Sequence, residues 1–369
     1  MPELDIRRKY TYGKKKKKKK KENFAVSLAS DLLPWPGDEL SDAVRKIVFI
    51  VSLAALVISA VVITNFYLGD NDGPNPQEHA MIIHMSNEKV TLNIPGISGD
   101  GMDNSDNQVE VIEKYVEYYE KNNDFVGFLS IDPYINYPVV QSEGDNTYYL
   151  KRNFDKVPTE NGTIFADWEG IFTPTERPHN IILYGHNLLT KNGFQPLANY
   201  RKSFEFLKAN PTIKFDTLYE TGTYKIVSVF LTNTKESHGE VFNYWSKNSI
   251  YFTSQGEFYD FVTEILDRSY YHTGVDIEYG DEFITLSTCD FSALSDLRLV
   301  IVARRVREFE DPRVDTDLFV DNRGVDENNL LKRKMFEAFY NIQNAGRGWG
   351  GRNWDTSLVK GLDEYLAGN

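Results

Sequence analysis

Phe283-Ile284-Thr285-Leu286-Ser287-Thr288-Cys289 is the stretch on which the reading of the chain turns. Its β-branched, aromatic and aliphatic residues predict a strand that ends on a thiol. Cys289 is the one cysteine among 369 residues. A lone cysteine makes no intramolecular disulfide, so disulfides do not hold the fold together. Such a residue is either a small buried hydrophobe or a thiol in use.

Working outward, LRLVIVA at 297–303 predicts the next strand, and Arg298 opens it. Upstream, NIILYG at 180–185 predicts a strand that runs directly into His186. IFAD at 164–167, TIKF at 212–215 and TYKIVSVFLT at 223–232 complete the set of strands. Phe258, Phe261, Val262 and Ile265 recur at helical spacing and predict a helix over Gly256–Arg268. Apolar positions 109, 112, 115, 116 and 119 predict another over Val109–Tyr119. Helices do not alternate with the strands, which argues against a parallel α/β sheet. The expectation is a mainly β chain with peripheral helices, its strands in a closed or nearly closed barrel.

Charge divides the chain. Residues 1–46 carry 13 Lys/Arg against 7 Asp/Glu, and residues 69–369 carry 28 against 47. Between them Ile47–Leu68 has no charge, and as a helix its 22 residues span about 33 Å, enough for a hydrocarbon core of about 30 Å. It is read as an uncleaved transmembrane signal anchor, since it is too long and too far in for a cleaved signal peptide. Arg45 and Lys46 before it, and Asp70 and Asp72 after it, place the N-terminus in the cytoplasm and the body outside. Lys14–Lys21, eight consecutive lysines, reads as a solvated tail drawn to anionic membrane lipid. Nucleic-acid binding is not expected, because no folded basic surface surrounds the run. Residues 69–105, rich in Asp, Asn, Gly and Pro, read as a stalk or linker. Residues 106–308 read as the folded body. Residues 309–369 form an extension of unknown role, with one helix expected near Asn328–Asn341.

Cys289, His186 and Arg298 each flank an expected strand, where a rigid element can hold a side chain at a surface. A thiolate needs a proton partner, and a tetrahedral intermediate needs a fixed positive charge or hydrogen-bond donors. Arginine stays charged at any relevant pH and suits the last role. His79, His84, His179, His238 and His272 have no HExxH or paired-ligand spacing, and no GxSxG or P-loop occurs. No metal and no cofactor is expected.

The TLSTC stretch, the Tyr184-Gly185-His186-Asn187 stretch and an arginine nine residues after the cysteine resemble the class B sortases. So do Tyr137-Pro138-Val139-Val140-Gln141, Asp145-Asn146, Tyr149-Leu150 and the helix ahead of the cysteine strand. The resemblance covers residues 106–308 and implies a closed eight-stranded barrel carrying out transpeptidation outside the cell. It implies that Cys289 attacks the scissile carbonyl of a C-terminal sorting signal on a secreted protein and forms a thioacyl enzyme. His186 would then move protons and Arg298 hold the oxyanion. Asn146, Leu150, Tyr184 and Ser287 would line the substrate groove. The acceptor would be an amine of a peptidoglycan precursor. A pilin-polymerising sortase, a thiol hydrolase and a scaffold on the same fold are the alternatives.

Overall fold

The computed structural model describes residues 32–34, 36–68, 85–94, 108–187, 193–236, 241–290, 296–322 and 354–368. The Lys14–Lys21 run and the helix expected near Asn328–Asn341 lie outside the described residues, as does most of the 69–105 segment. The chain divides into two units, Met1–Gly69 and Asp70–Asn369.

The first unit contains helix α1 (Leu40–Leu68). Its Leu40–Val61 stretch contains an 18-residue window with a mean hydropathy of 2.2 and is long and apolar enough to cross a membrane. Ile47, Val48, Phe49, Leu53 and Leu56 are all exposed. At its N-terminal end the Lys46 ammonium donates to the Asp38 carboxylate at 2.8 Å.

In the second unit all six apolar runs form strands. In chain order the elements are β1 (Lys89–Asn93), β2 (Gln108–Ile112), α2 (Val116–Lys121), β3 (Phe125–Ile131), β4 (Ile135–Val140), β5 (Phe165–Ala166) and β6 (Asn180–Gly185). Then come α3 (Ala198–Lys202), α4 (Phe204–Ala209), β7 (Thr212–Thr217), β8 (Thr223–Asn233), α5 (Lys247–Ile250) and α6 (Gln255–Asp267). The chain continues through β9 (Tyr271–His272), β10 (Ile277–Glu278), β11 (Phe283–Asp290), β12 (Leu297–Arg305), β13 (Val320–Asp321), β14 (Val359–Lys360) and α7 (Leu362–Gly368). Eight strands close into a barrel in the order β11-β12-β8-β7-β3-β4-β5-β6. The ring is shut by the parallel pairing of β6 with β11.

Both faces of β12 are buried, which is why its sequence reads as one apolar run. Leu299, Ile301 and Ala303 point into the barrel, with Leu129, Val139, Leu183, Ile226 and Leu286. Val300 and Val302 point outward, against α6, whose Phe258, Phe261, Val262 and Ile265 cover them. The start of α6 is capped by side chains: the Ser254 hydroxyl accepts from Glu257 N at 3.2 Å, and Glu257 Oε2 accepts from Thr253 N, just before the cap, at 2.7 Å.

Three features differ from the expectations. Val109–Tyr119 is not one helix: it holds β2, then a turn of 3-10 helix, then α2. Buried Val109 and Val111 alternate with exposed Gln108 and Glu110, so the strand period prevails over the helical one. The partner of β2 is β1, which arises within the segment read as linker. Last, the C-terminal extension ends against the body. Trp354, Val359 and Leu362 are buried in the cluster around α6, and β14 pairs in parallel with β10.

Candidate active site

Strand register builds the site. On β11 Ile284 and Leu286 face the barrel core, so alternation turns Thr285, Ser287 and Cys289 to the other face. Cys289 stands opposite Arg298 in the antiparallel β11–β12 ladder. On its other side β11 runs parallel to β6, with Ser287 beside Tyr184 and Thr288 beside Gly185. The next residue of β6's chain is His186, so the imidazole just past the end of β6 and the thiol near the end of β11 sit at the same end of two adjacent parallel strands.

Glycines let the backbone close around His186. Gly162 has φ +60°, and a Cβ there would lie 2.6 Å from the Leu150 carbonyl oxygen and 3.0 Å from His186 Cδ2. A Cβ on Gly185 would press on the Phe194 ring at 2.8 Å. His186 Nε2 lies 2.7 Å from the Leu150 carbonyl oxygen. A carbonyl only accepts, so this contact assigns the proton to Nε2 and leaves Nδ1 as the nitrogen that can exchange a proton.

A cavity of about 420 Å³ is lined by Cys289, His186 and Arg298, and equally by Asn146, Leu150, Tyr184 and Ser287. All seven residues singled out in the sequence therefore share one cavity. Cys289 is a free thiol of intermediate exposure. Arg298 donates from Nη1 to the Leu297 carbonyl at 3.1 Å and, among the described residues, makes no ion pair. Arg304, Arg305 and Arg307 are committed elsewhere, Arg304 to Glu310, Arg305 to Glu220 and Glu282, and Arg307 to Asp281.

Sequence reasoning passed over three residues of this site. Asp167, nearly fully buried, accepts from the Tyr184 hydroxyl at 2.8 Å and from Asn146 Nδ2 at 2.9 Å. Asn146 Oδ1 in turn accepts from Trp168 N at 2.9 Å. One carboxylate thus fixes two cavity residues, and burial together with that carboxylate pushes the Tyr184 phenol well above its ordinary range. Tyr244 and Trp245 also line the cavity, their rings edge to face with centroids 4.8 Å apart. The Tyr244 hydroxyl shares a hydrogen bond with Ser287 Oγ at 2.7 Å, and burial pushes it up to about 12. Asp167 was visible only as the end of IFAD, and Tyr244-Trp245 sits in an irregular segment with no period to expose it.

The Sortase domain family model matches residues 130–306. Sortase B of Listeria monocytogenes serovar 1/2a is 32% identical over 182 residues, covering 49% of this chain and 69% of that protein. Sortase B of Staphylococcus aureus is 29% identical over 201 residues, covering 54% of this chain and 77% of that protein. The solved Staphylococcus aureus sortase B–substrate complex has a TM-score of 0.47 at 28% identity, covering 53% of this chain and 86% of that one. Clostridium perfringens sortase B has a TM-score of 0.45 at 26% identity, covering 52% and 98%. The chain belongs to the sortase family of transpeptidases. Its relatives in that family are sortases of class B.

Proposed function

We propose that this sortase is a membrane-anchored cysteine transpeptidase that joins secreted proteins to a cell-wall amine. The observation that carries the reading is the convergence on one cavity of a sole thiol, an imidazole and a guanidinium that makes no ion pair among the described residues. Cys289 Sγ, as thiolate, adds to the scissile carbonyl of a C-terminal sorting signal. The oxyanion that forms is held by the Arg298 guanidinium. The tetrahedral intermediate collapses as the amide C–N bond breaks and imidazolium His186 protonates the leaving amine, leaving a thioacyl enzyme. An acceptor amine then adds to the thioester and gives a proton to His186. Cys289 leaves as thiolate and the new amide is released. Asn146, Leu150, Tyr184 and Ser287 hold the peptide in register, with Asn146 and Tyr184 themselves fixed by the Asp167 carboxylate.

Helix α1 supports the anchor, and the charge contrast across it supports a cytoplasmic N-terminus and an external catalytic unit. Protease added to wall-stripped cells digests the body in this orientation; cleavage confined to the lysine run contradicts it. The activity is tested with full-length chain in detergent and a panel of sorting-signal peptides. Cleavage that yields a transfer product when an amine is supplied supports the reading. Cleavage to the free acid alone, unaffected by amine, makes the protein a thiol hydrolase instead.

A further inference from the structure

The backbone ladder between β6 and β11 ends one residue short of the chemistry. Its last pair is Gly185 with Thr288, and His186 and Cys289 lie just beyond it. Two side-chain bonds carry the connection past that point. Thr288 Oγ1 donates to the Gly185 carbonyl at 2.7 Å, and Asn187 Nδ2 donates to the Cys289 carbonyl at 2.9 Å. The second spans the gap where a ladder bond is missing and ties the residue after the histidine to the residue of the thiol. Asn187 is itself fixed. It forms an antiparallel bridge with Gly193, and Phe194 N donates to the His186 carbonyl at 2.9 Å. Gly193 has φ +64°, and a Cβ there would lie 3.0 Å from that carbonyl oxygen, so Gly193 packs closely on the histidine's backbone.

We propose that Asn187 is a positioning residue that sets the spacing of His186 and Cys289 through its bond to the Cys289 carbonyl. The Leu150 carbonyl orients the imidazole ring, whereas Asn187 holds the two backbones at a fixed separation. Asn187 does not line the cavity, so it acts through its neighbours and not on the substrate. Its amide orientation follows from the same contact. A flipped side chain would set Oδ1 against a carbonyl oxygen, and two acceptors repel. Proton transfer between thiol, imidazole and amine occurs only along the reaction, whereas peptide binding uses the cavity walls. Loss of the tether therefore falls on kcat and leaves KM nearly unchanged.

The inference rests on the transpeptidase reading, and two readouts keep their failures apart. Full-length Asn187→Ala and the shape-conserving Asn187→Asp, which as a carboxylate has no proton to donate, are compared with wild type after circular dichroism shows them folded. In peptide transfer, kcat is expected to fall about tenfold or more in both, with KM within about threefold, because displacement of reacting groups by about 1 Å can cost up to about 10². Independently of turnover, alkylation of Cys289 by iodoacetamide at neutral pH, read by intact mass on the single cysteine, is expected to slow by about threefold or more in Asn187→Ala. Wild-type kcat in either folded variant, a loss confined to KM, or an unchanged or faster alkylation rate overturns the positioning role. If wild type itself does not transfer peptide, the functional reading fails while the alkylation result still decides the tether.

Discussion

Arg298 differs from the other arginines of its strand region by what it lacks. Arg304, Arg305 and Arg307 are bound by carboxylates, whereas Arg298 opens on the cavity with only a main-chain carbonyl for a partner among the described residues. A cation left unpaired at a partly buried site stands ready for charge that appears during reaction. Loss of one oxyanion donor costs about 10²–10³ in rate, so Arg298→Ala is expected to lose at least about that factor in kcat/KM. Arg298→Lys keeps the charge but not the planar fork, and is expected to stay closer to the alanine variant than to wild type. Near-wild-type turnover in a folded Arg298→Ala would hand the oxyanion to backbone amides. Cys289, His186 and Arg298 were legible as candidates because each adjoins an apolar strand. Asp167 and Tyr244 were not, because their importance lies in contacts made across the fold, with Asn146, Tyr184 and Ser287, which no local pattern records.

At the scale of elements, α6 and the end of the chain form one unit. Trp354 Nε1 donates to Asp267 Oδ1 at 2.7 Å, at the last residue of α6. The Tyr259 hydroxyl donates to the Lys360 carbonyl at 2.9 Å, and the Lys360 ammonium lies 2.9 Å from Glu278. Gly361, at φ +79°, leaves no room for a Cβ beside the Tyr259 hydroxyl. Truncating a buried tryptophan costs about 3–5 kcal/mol, so Trp354→Ala is expected to lower thermal stability by several degrees. Trp354→Phe keeps the ring but strips Asp267 of a donor, and is expected to cost about 1–3 kcal/mol. Differential scanning calorimetry checks both, and an unchanged melting temperature in Trp354→Ala would show that the tail does not brace α6. Helix α6 was legible from its 258, 261, 262, 265 period, and β11 and β12 from their apolar runs. Strands β3 and β4 were not read, because Gly127 and Pro138 interrupt them. In the barrel both have reasons: a Cβ on Gly127 would strike the Asp216 carbonyl, and Pro138 faces Phe128 in the ladder. The strand β1 was hidden because its pairing with β2 crosses a long stretch of linker-like composition.

Across the whole catalytic unit, charge is sorted to the two ends of β12. Arg298 lies at the cavity end, and Arg304, six residues on and so about 20 Å away, is fully buried in a cluster of carboxylates. Glu310 accepts from Arg304 Nη1 at 2.6 Å and from the Lys225 ammonium at 2.6 Å. The Arg304 guanidinium first, and then Lys225, holds the Glu310 carboxyl well below the usual carboxylate range. A carboxylate with a lowered folded pKa adds stability above its unfolded value of about 4.3 and loses that contribution as pH falls toward the folded value. The melting temperature is therefore expected to drop on acidification below about pH 4. Glu310→Gln should be less stable than wild type at pH 7 and lose less on acidification. A parallel pH dependence in the two proteins would remove Glu310 from the acid response.

The proposed chemistry requires a covalent acyl–enzyme at Cys289, and intact mass spectrometry reads it directly because the chain holds a single cysteine. Full-length protein is mixed with a cleavable sorting peptide, quenched in acid, and weighed with and without an acceptor amine. The expected species is heavier by the N-terminal acyl fragment, carries it on Cys289 and is discharged when the amine is present. Undiminished peptide cleavage by a folded Cys289→Ala protein, with no acyl species in wild type, would contradict the proposed chemistry.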